Sequence, residues 1–248
     1  MQTDLKPQPQ PWPLWPTLGL SALIIGSLLG VSIAIALVAV VIVMVQNPGF
    51  TADEIQQMAE SLSTNGLLLA ISTLIADAIG IGLIYLFVRW RRSITAPEYL
   101  GFRRVSVKMF ILWQAFWLLF LGLSEVFAKL FHQSDSFMAE TLSTSRSPIL
   151  LFIAVVIMAP LFEELFFRGF MIPGIAKSRL GPAGAVVITS GVWAAIHLQY
   201  NLFFMGVIFT FGLLLGVAHL KTRSIYVPLA MHGLNNLIAF AATALTLQ

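Results

Sequence analysis

Seven stretches of this 248-residue chain are apolar over about the length that a helix needs to cross a bilayer. An α-helix rises about 1.5 Å per residue and a hydrocarbon core is about 30 Å thick, so a span takes roughly 17–25 mostly apolar residues. Segments near 17–45, 66–88, 107–129, 148–167, 182–199, 202–219 and 225–246 meet that need. The chain is 58% hydrophobic and 10% charged, against about 45–50% and about 25% for a soluble domain. The runs are too long for barrel strands and lack their alternation. The pattern predicts an all-α, polytopic transmembrane helical bundle of about seven spans, with eight as the alternative count. Only QYN separates the fifth and sixth segments, which predicts a tight helical hairpin. There is no cysteine, which removes disulfides, thiolate catalysis and cysteine-built metal centres from consideration.

Residues 1–16 read as a Pro-rich cytoplasmic tail with Lys6, and 17–248 as a single transmembrane domain. The apolar run after the tail lacks a small-residue cleavage pattern and reads as a retained helix rather than a signal peptide. Trp12 and Trp15 are placed as interfacial anchors. Thr51 and Glu54 have the spacing of a capping box, predicting a short amphipathic helix after the first span. Basic residues cluster in alternate connections: Arg89, Arg91, Arg92, Arg103, Arg104 and Lys108 in one, Arg168, Lys177 and Arg179 in another, Lys221 and Arg223 in the last. The intervening loops are acidic or mixed. The positive-inside rule then puts the N-terminus in the cytoplasm of a multi-pass protein of the cell membrane. The net charge of +3 is spread over these loops, so no nucleic-acid surface is indicated.

Within the fourth run stand two adjacent carboxylates, Glu163 and Glu164, followed by Arg168. Charges at membrane depth are costly and as a rule functional. Counted from the start of the run they lie roughly 22 Å along the helix, nearer the cytoplasmic face. Pro160 just before them removes a backbone donor and can kink the helix. Glu164 and Arg168 share a face, so the arginine can hold one carboxylate ionised and leave the other for proton transfer. A packing ion pair is the alternative for this group. Trp193 and His197 sit four apart in the fifth run, His232 and Asn236 four apart in the seventh, and Asp77 lies within the second. Carboxylates, imidazoles and an amide are what water activation and oxyanion stabilisation require. His197 counts as deep and His232 as shallow, unless a cavity or a displaced fifth helix reconciles them.

The motifs EELFFR from Glu163 to Arg168, Trp193 to His197, and His232 to Asn236 resemble the EExxxR, [FY]xxxH and Hxxx[ND] motifs of the CPBP intramembrane proteases. That family includes the type II CAAX prenyl endopeptidases and the bacterial Abi proteins. The resemblance covers about 145–245, the expected catalytic core, and Trp193 departs from the family's Phe or Tyr. It implies a membrane endopeptidase whose site faces the cytoplasm and whose substrate is a peptide or protein at the bilayer. Glu163, with help from Glu164, would activate water, and Arg168 would order the glutamates. His197 would orient the water or bind a metal, and His232 and Asn236 would stabilise the oxyanion. The resemblance leaves two mechanisms open: a metalloprotease with a divalent metal, zinc, held by His197 and His232 with Glu163, or a glutamate-type peptidase that needs no tightly held metal. Trp193 is expected to alter the wall of the substrate cavity. The alternative reading is a non-proteolytic immunity, regulatory or adaptor protein on the same fold.

Overall fold

The computed structural model describes residues 10–247, and every regular element among them is helical. Residues 1–9, with Lys6 and most of the expected tail, lie outside the described residues. In chain order the helices are α1 (Leu14–Gln46), α2 (Ala52–Ser63), α3 (Gly66–Trp90), α4 (Ala96–Tyr99), α5 (Val107–Leu130), α6 (Phe137–Ser143), α7 (Pro148–Ala176), α8 (Gly181–Ala195), α9 (Leu202–Thr222) and α10 (Tyr226–Thr246). Local chemistry sets several of their starts. The side chains of Asn65, Ser106 and Asn201 each accept a backbone N–H from the first turn they precede. Thr51 and Glu54 form the expected reciprocal capping box on α2, which buries none of its side chains.

Among the described residues five helices, α1, α3, α5, α7 and α9, are long and apolar enough to span a bilayer. The expectation of seven therefore falls on two segments. The fifth stops at Ala195, after 15 residues, which is short of a full span. The last, α10, has 21 residues, but His232, Asn235 and Asn236 lower its apolarity. It is the sixth helix of spanning length. The fourth run extends beyond its expected end at 167 to Ala176, a helix of 29 residues, so the diglutamate sits near its middle rather than near one face. Arg168 is fully buried in that helix and does not belong with the loop charges.

The charged loops gather at two opposite ends. At one end, the indole N–H of Trp12 donates to the Phe87 carbonyl at 3.0 Å and its backbone N–H to the Tyr99 hydroxyl at 3.2 Å. Thus Trp12 docks the chain onto the end of α3, whereas Trp15 is 79% exposed and free to act as an anchor. Ile225 donates to the Gly101 carbonyl at 2.8 Å and Ser224 to the Arg103 carbonyl at 2.5 Å, so the segments bearing Arg89–Arg104 and Lys221–Arg223 meet here. At the other end Gly66 donates to Thr144, Thr144 to the Thr64 carbonyl, and Asn201 to Gln133. Asp53, Glu54, Asp135 and Glu140 lie in the segments of this acidic end.

Between the ends, α8 and α9 form the expected antiparallel hairpin, with Gly216 against Val186 and Gly212 against Ser190 and Trp193. Helices α3 and α7 run parallel and cross closely where Gly80 meets Phe162. A Cβ at Gly80 would stand 2.5 Å from the Phe162 ring. That contact seats the residue next to Glu163 against α3. Gly80→Val is expected to overpack the crossing and cost about 1–3 kcal/mol, read as a lower thermal midpoint in detergent relative to Gly82→Val, where a Cβ meets open space.

Candidate active site

The diglutamate helix solves a backbone problem in an unusual way. Pro160 does not break α7. Instead the helix widens into π-type turns at Ile153–Met158 and Glu164–Met171, on either side of the segment that holds Pro160 and Glu163. Such wide turns are uncommon and concentrate at functional sites. In the first, the Ala159 N–H reaches back to the Ala154 carbonyl. The Val155 carbonyl is then without its α-helical partner, and its π-helical partner would be residue 160, a proline with no N–H. A carbonyl stranded in an apolar interior is costly. The Asn236 side-chain amide on α10 supplies the missing donor at 2.9 Å. Asn236 thus spends one amide hydrogen on holding α10 to α7, and only its second is left for the expected oxyanion.

The second wide turn carries the charges. Glu164 and Arg168 are both fully buried and pair through Nη1 and Oε1 at 2.8 Å. The same Oε1 faces His232 Nδ1 at 2.9 Å. A carboxylate accepts, so the imidazole carries its proton on Nδ1 there, and Nε2 turns toward Glu163 Oε2 at 3.8 Å. Arg168 also donates through Nη2 to the Gly212 carbonyl at 3.3 Å, and its guanidinium carbon lies 4.8 Å from the Trp193 ring centre. One carboxylate therefore ties α7, α9 and α10 together. Breaking a buried pair of this kind costs about 3–5 kcal/mol, so Glu164 is committed to holding its neighbours.

Glu163 is arranged differently. Its side chain keeps 15% exposure, and its Oε2 accepts the indole N–H of Trp193. Oε1 has no protein donor among the described residues. Trp193 is 2% exposed, so it does not line a cavity as expected from the sequence. It is a buried donor to the glutamate, in edge contact with the His232 and His197 rings at 5.2 and 5.4 Å. Phenylalanine at this position would have no such hydrogen to give. Asp77, buried on α3, is near enough to Glu163 for their charges to interact.

His197 lies past the end of α8, in the turn toward α9, which resolves the tension over its depth. Its Nδ1 faces the Trp193 carbonyl at 2.7 Å, so the proton sits on Nδ1 and Nε2 is an acceptor in the neutral ring. It makes neither a hydrogen bond nor an ion pair with Glu163, Glu164 or His232 among the described residues. Its ring stacks on Tyr200 at 6.2 Å. Burial first, and then the charges of Asp135 and Glu163, push the Tyr200 phenol up to about 12, so it stays protonated as a donor.

These positions do not fit the expected zinc set of His197, His232 and Glu163. Zinc takes about four ligands, and no group of three or more His, Asp or Glu among the described residues is placed to hold an ion. His232 Nδ1 and Glu164 Oε1 are occupied with each other and His197 points elsewhere. Asn235, next to Asn236, accepts from the Trp117 indole at 3.4 Å. The adjacent amides of α10 thus face two different helices. Adjacent helical residues point about 100° apart, which sends the two side chains to different neighbours.

The Val155 account predicts a double-mutant cycle. Asn236→Leu leaves the carbonyl bare and is expected to cost about 1–3 kcal/mol in thermal unfolding in detergent. In a Pro160→Ala background the new N–H can serve Val155, and the same substitution should cost measurably less. Equal losses in the two backgrounds contradict this account.

A family model described as type II CAAX prenyl endopeptidase Rce1-like matches residues 145–238. An Escherichia coli relative with the printed name "Uncharacterized 24.3 kDa protein" is 29% identical over 160 residues, covering 60% of this chain and 70% of that protein. The "Uncharacterized protein YyaK" of Bacillus subtilis is 26% identical over 216 residues, covering 81% of this chain and 69% of its own length. No solved structure matches the chain significantly. The matched stretch carries an Rce1-like domain over part of the chain, and Glu163, Glu164, Arg168, His197, His232 and Asn236 all fall inside it.

Proposed function

We propose that this protein is an intramembrane endopeptidase of the CPBP type, hydrolysing a peptide bond of a membrane-associated protein or peptide. The observation that carries the reading is the difference between the two glutamates. Glu164 is fully buried and committed to Arg168 and His232. Glu163 is oriented by Trp193, partly exposed and has one oxygen free, whereas the unpaired Oε2 of Glu164 is sealed from solvent. A buried ion pair made only for packing does not require the second carboxylate. The match to the Rce1-like family supports the same assignment. The catalytic domain is taken as the region of about 145–245 within one transmembrane unit. The basic end is assigned to the cytoplasm of the cell membrane by the loop charges.

In this mechanism Glu163 takes a proton from a water held beside its free oxygen. The hydroxide oxygen attacks the scissile carbonyl, giving a tetrahedral intermediate. Glu163 then returns the proton to the amide nitrogen as the carbon–nitrogen bond breaks, leaving a carboxylic acid and an amine. His232, fixed by Glu164, turns Nε2 toward the reacting oxygens. The remaining Asn236 hydrogen is the donor for the oxyanion, and His232 Nε2, with the ring proton on Nδ1, accepts from the reacting water. Arg168 pairs with Glu164, which in turn fixes the imidazole. No step is assigned to a metal ion.

The reading is tested with the purified protein in liposomes and an internally quenched, farnesylated CAAX peptide, alongside unlipidated membrane-spanning peptides. Glu163→Gln is expected to lower the cleavage rate by about 10²–10⁴-fold, the usual contribution of a general base, with the protein still folded. Full activity in that variant would remove Glu163 from its role. Trp193→Phe keeps an aromatic ring but loses a donor to a charged acceptor, an interaction of about 1.5–3 kcal/mol. It should reduce kcat by roughly tenfold or more with little change in KM. A change in KM alone would make Trp193 a packing residue.

A further inference from the structure

Asp77 stands in the middle of the 25-residue α3, too far from either end for its short side chain to reach the membrane surface. It is buried, and neither a hydrogen-bond donor nor a cation meets its carboxyl group among the described residues. A carboxyl left so at membrane depth is costly and as a rule functional, and the steps assigned to Glu163, His232 and Asn236 give it no task.

Its place follows from how α3 lies on α7. Ala70 and Leu74 belong to the cluster that holds Leu151, Ala154 and Val155, and further along Gly80 meets Phe162. Asp77 precedes Gly80 by three residues and shares its face, which sets it at about the level of Ala159. Glu163 is one turn further along α7. Side chains on a helix lean toward its N-terminus, so Glu163 leans back toward the level of Asp77. On α10, Asn236 meets Val155 and His232 meets Glu164. Asp77 therefore lies at a level between those two contacts, beside the base. Its oxygens and Glu163 Oε1 keep some contact with open space, whereas Glu164 Oε2 is sealed.

The surrounding helices leave the two carboxyl groups to each other. α1 carries no charged residue from Leu14 to Gln46. On α7, Arg168 is taken by Glu164 and the Gly212 carbonyl. Glu140 of α6 and Glu98 and Tyr99 of α4 lie near opposite ends of α3, in contact with Ser136, Arg103 and Trp12 respectively. Two carboxyl groups side by side in an apolar interior, with no cation between them, share a proton rather than both bearing charge.

We propose that Asp77 is the acid of the peptidase reaction, with Glu163 as its base. Glu163 takes a proton from the attacking water. Asp77 gives its carboxyl proton to the amide nitrogen as the carbon–nitrogen bond breaks, in place of a direct return by Glu163. The proton on Glu163 then passes to Asp77, so both groups end as they began and one water is consumed. This rests on the peptidase reading.

Asp77→Asn and Asp77→Leu are compared with the unaltered protein in liposomes on the quenched peptides. Both are expected to lower kcat by about 10²–10⁴-fold, with KM little changed. The unaltered protein should lose rate at low and at high pH, and Asp77→Asn should keep only the loss at low pH. Asp77→Leu removes a lone buried carboxyl, so its thermal midpoint should equal or exceed that of the unaltered protein. A residue kept for packing gives the reverse, a lower midpoint with kcat unchanged, and that result overturns the inference. So does a high-pH loss that persists in Asp77→Asn. If the unaltered protein cleaves no peptide, the peptidase reading fails by itself, and the shared proton is read without activity. Dicyclohexylcarbodiimide, an apolar reagent that couples to carboxylic acids within membranes, should then add to Asp77 and spare Glu163, as located by mass. Addition to both, to Glu163 alone or to neither overturns the inference.

Discussion

One carboxylate oxygen holds the centre of this molecule together. Glu164 Oε1 accepts from Arg168 one turn along its own helix and from His232 on α10. The same guanidinium reaches the Gly212 carbonyl on α9 and lies over the Trp193 ring on α8. In an apolar interior neither charge tolerates isolation, so four helices are fixed relative to one another by groups that must remain paired. Everything assigned to chemistry hangs on this frame. His232 is presented to Glu163 because Glu164 holds its other nitrogen, and Trp193 reaches Glu163 because its ring is packed among Arg168, Phe211 and His232.

A second constraint comes from the backbone. The wide turn before Pro160 leaves the Val155 carbonyl without either of its helical partners, and Asn236 completes it. The polar residues of α10 therefore serve two purposes along one face, His232 toward the charges and Asn236 toward the stranded carbonyl. Asn235, pointing elsewhere, meets Trp117 on α5. These contacts lower the apolarity of α10 and at the same time account for how a helix with three polar residues packs inside an apolar bundle.

The hairpin of α8 and α9 shows how a short helix can serve such a site. Because α8 stops at Ala195, the chain turns before reaching the length of a span, and His197 and Tyr200 come to lie at the acidic end. Gly212 and Gly216 let α9 approach α8 closely enough that a Cβ at Gly212 would stand 3.0 Å from the Trp193 ring. The site is thereby packed tightly beside Glu164 and more loosely beside Glu163, the asymmetry on which the proposed chemistry rests.

The sequence by itself determined the helical, membrane-spanning class, the two groups of loops, the α2 capping box and the six polar residues of interest. Each of these is written in composition or in spacing along a single helix. The Glu164–Arg168 pair was legible for the same reason, since four residues make one turn. What the spacing could not convey was contact between helices. The division of labour between Glu163 and Glu164 rests on His232 and Trp193, which lie 68 and 30 residues away from the glutamates they touch. The span count failed where length along the chain was not length in a helix, at the early stop of α8. Only tertiary structure turned Trp193 from an expected cavity wall into a buried donor, gave Asn236 a carbonyl to satisfy and set His197 apart from a metal set. The reason is the same throughout: in an apolar interior an unpaired polar group is costly, and the partner is chosen by which helices meet.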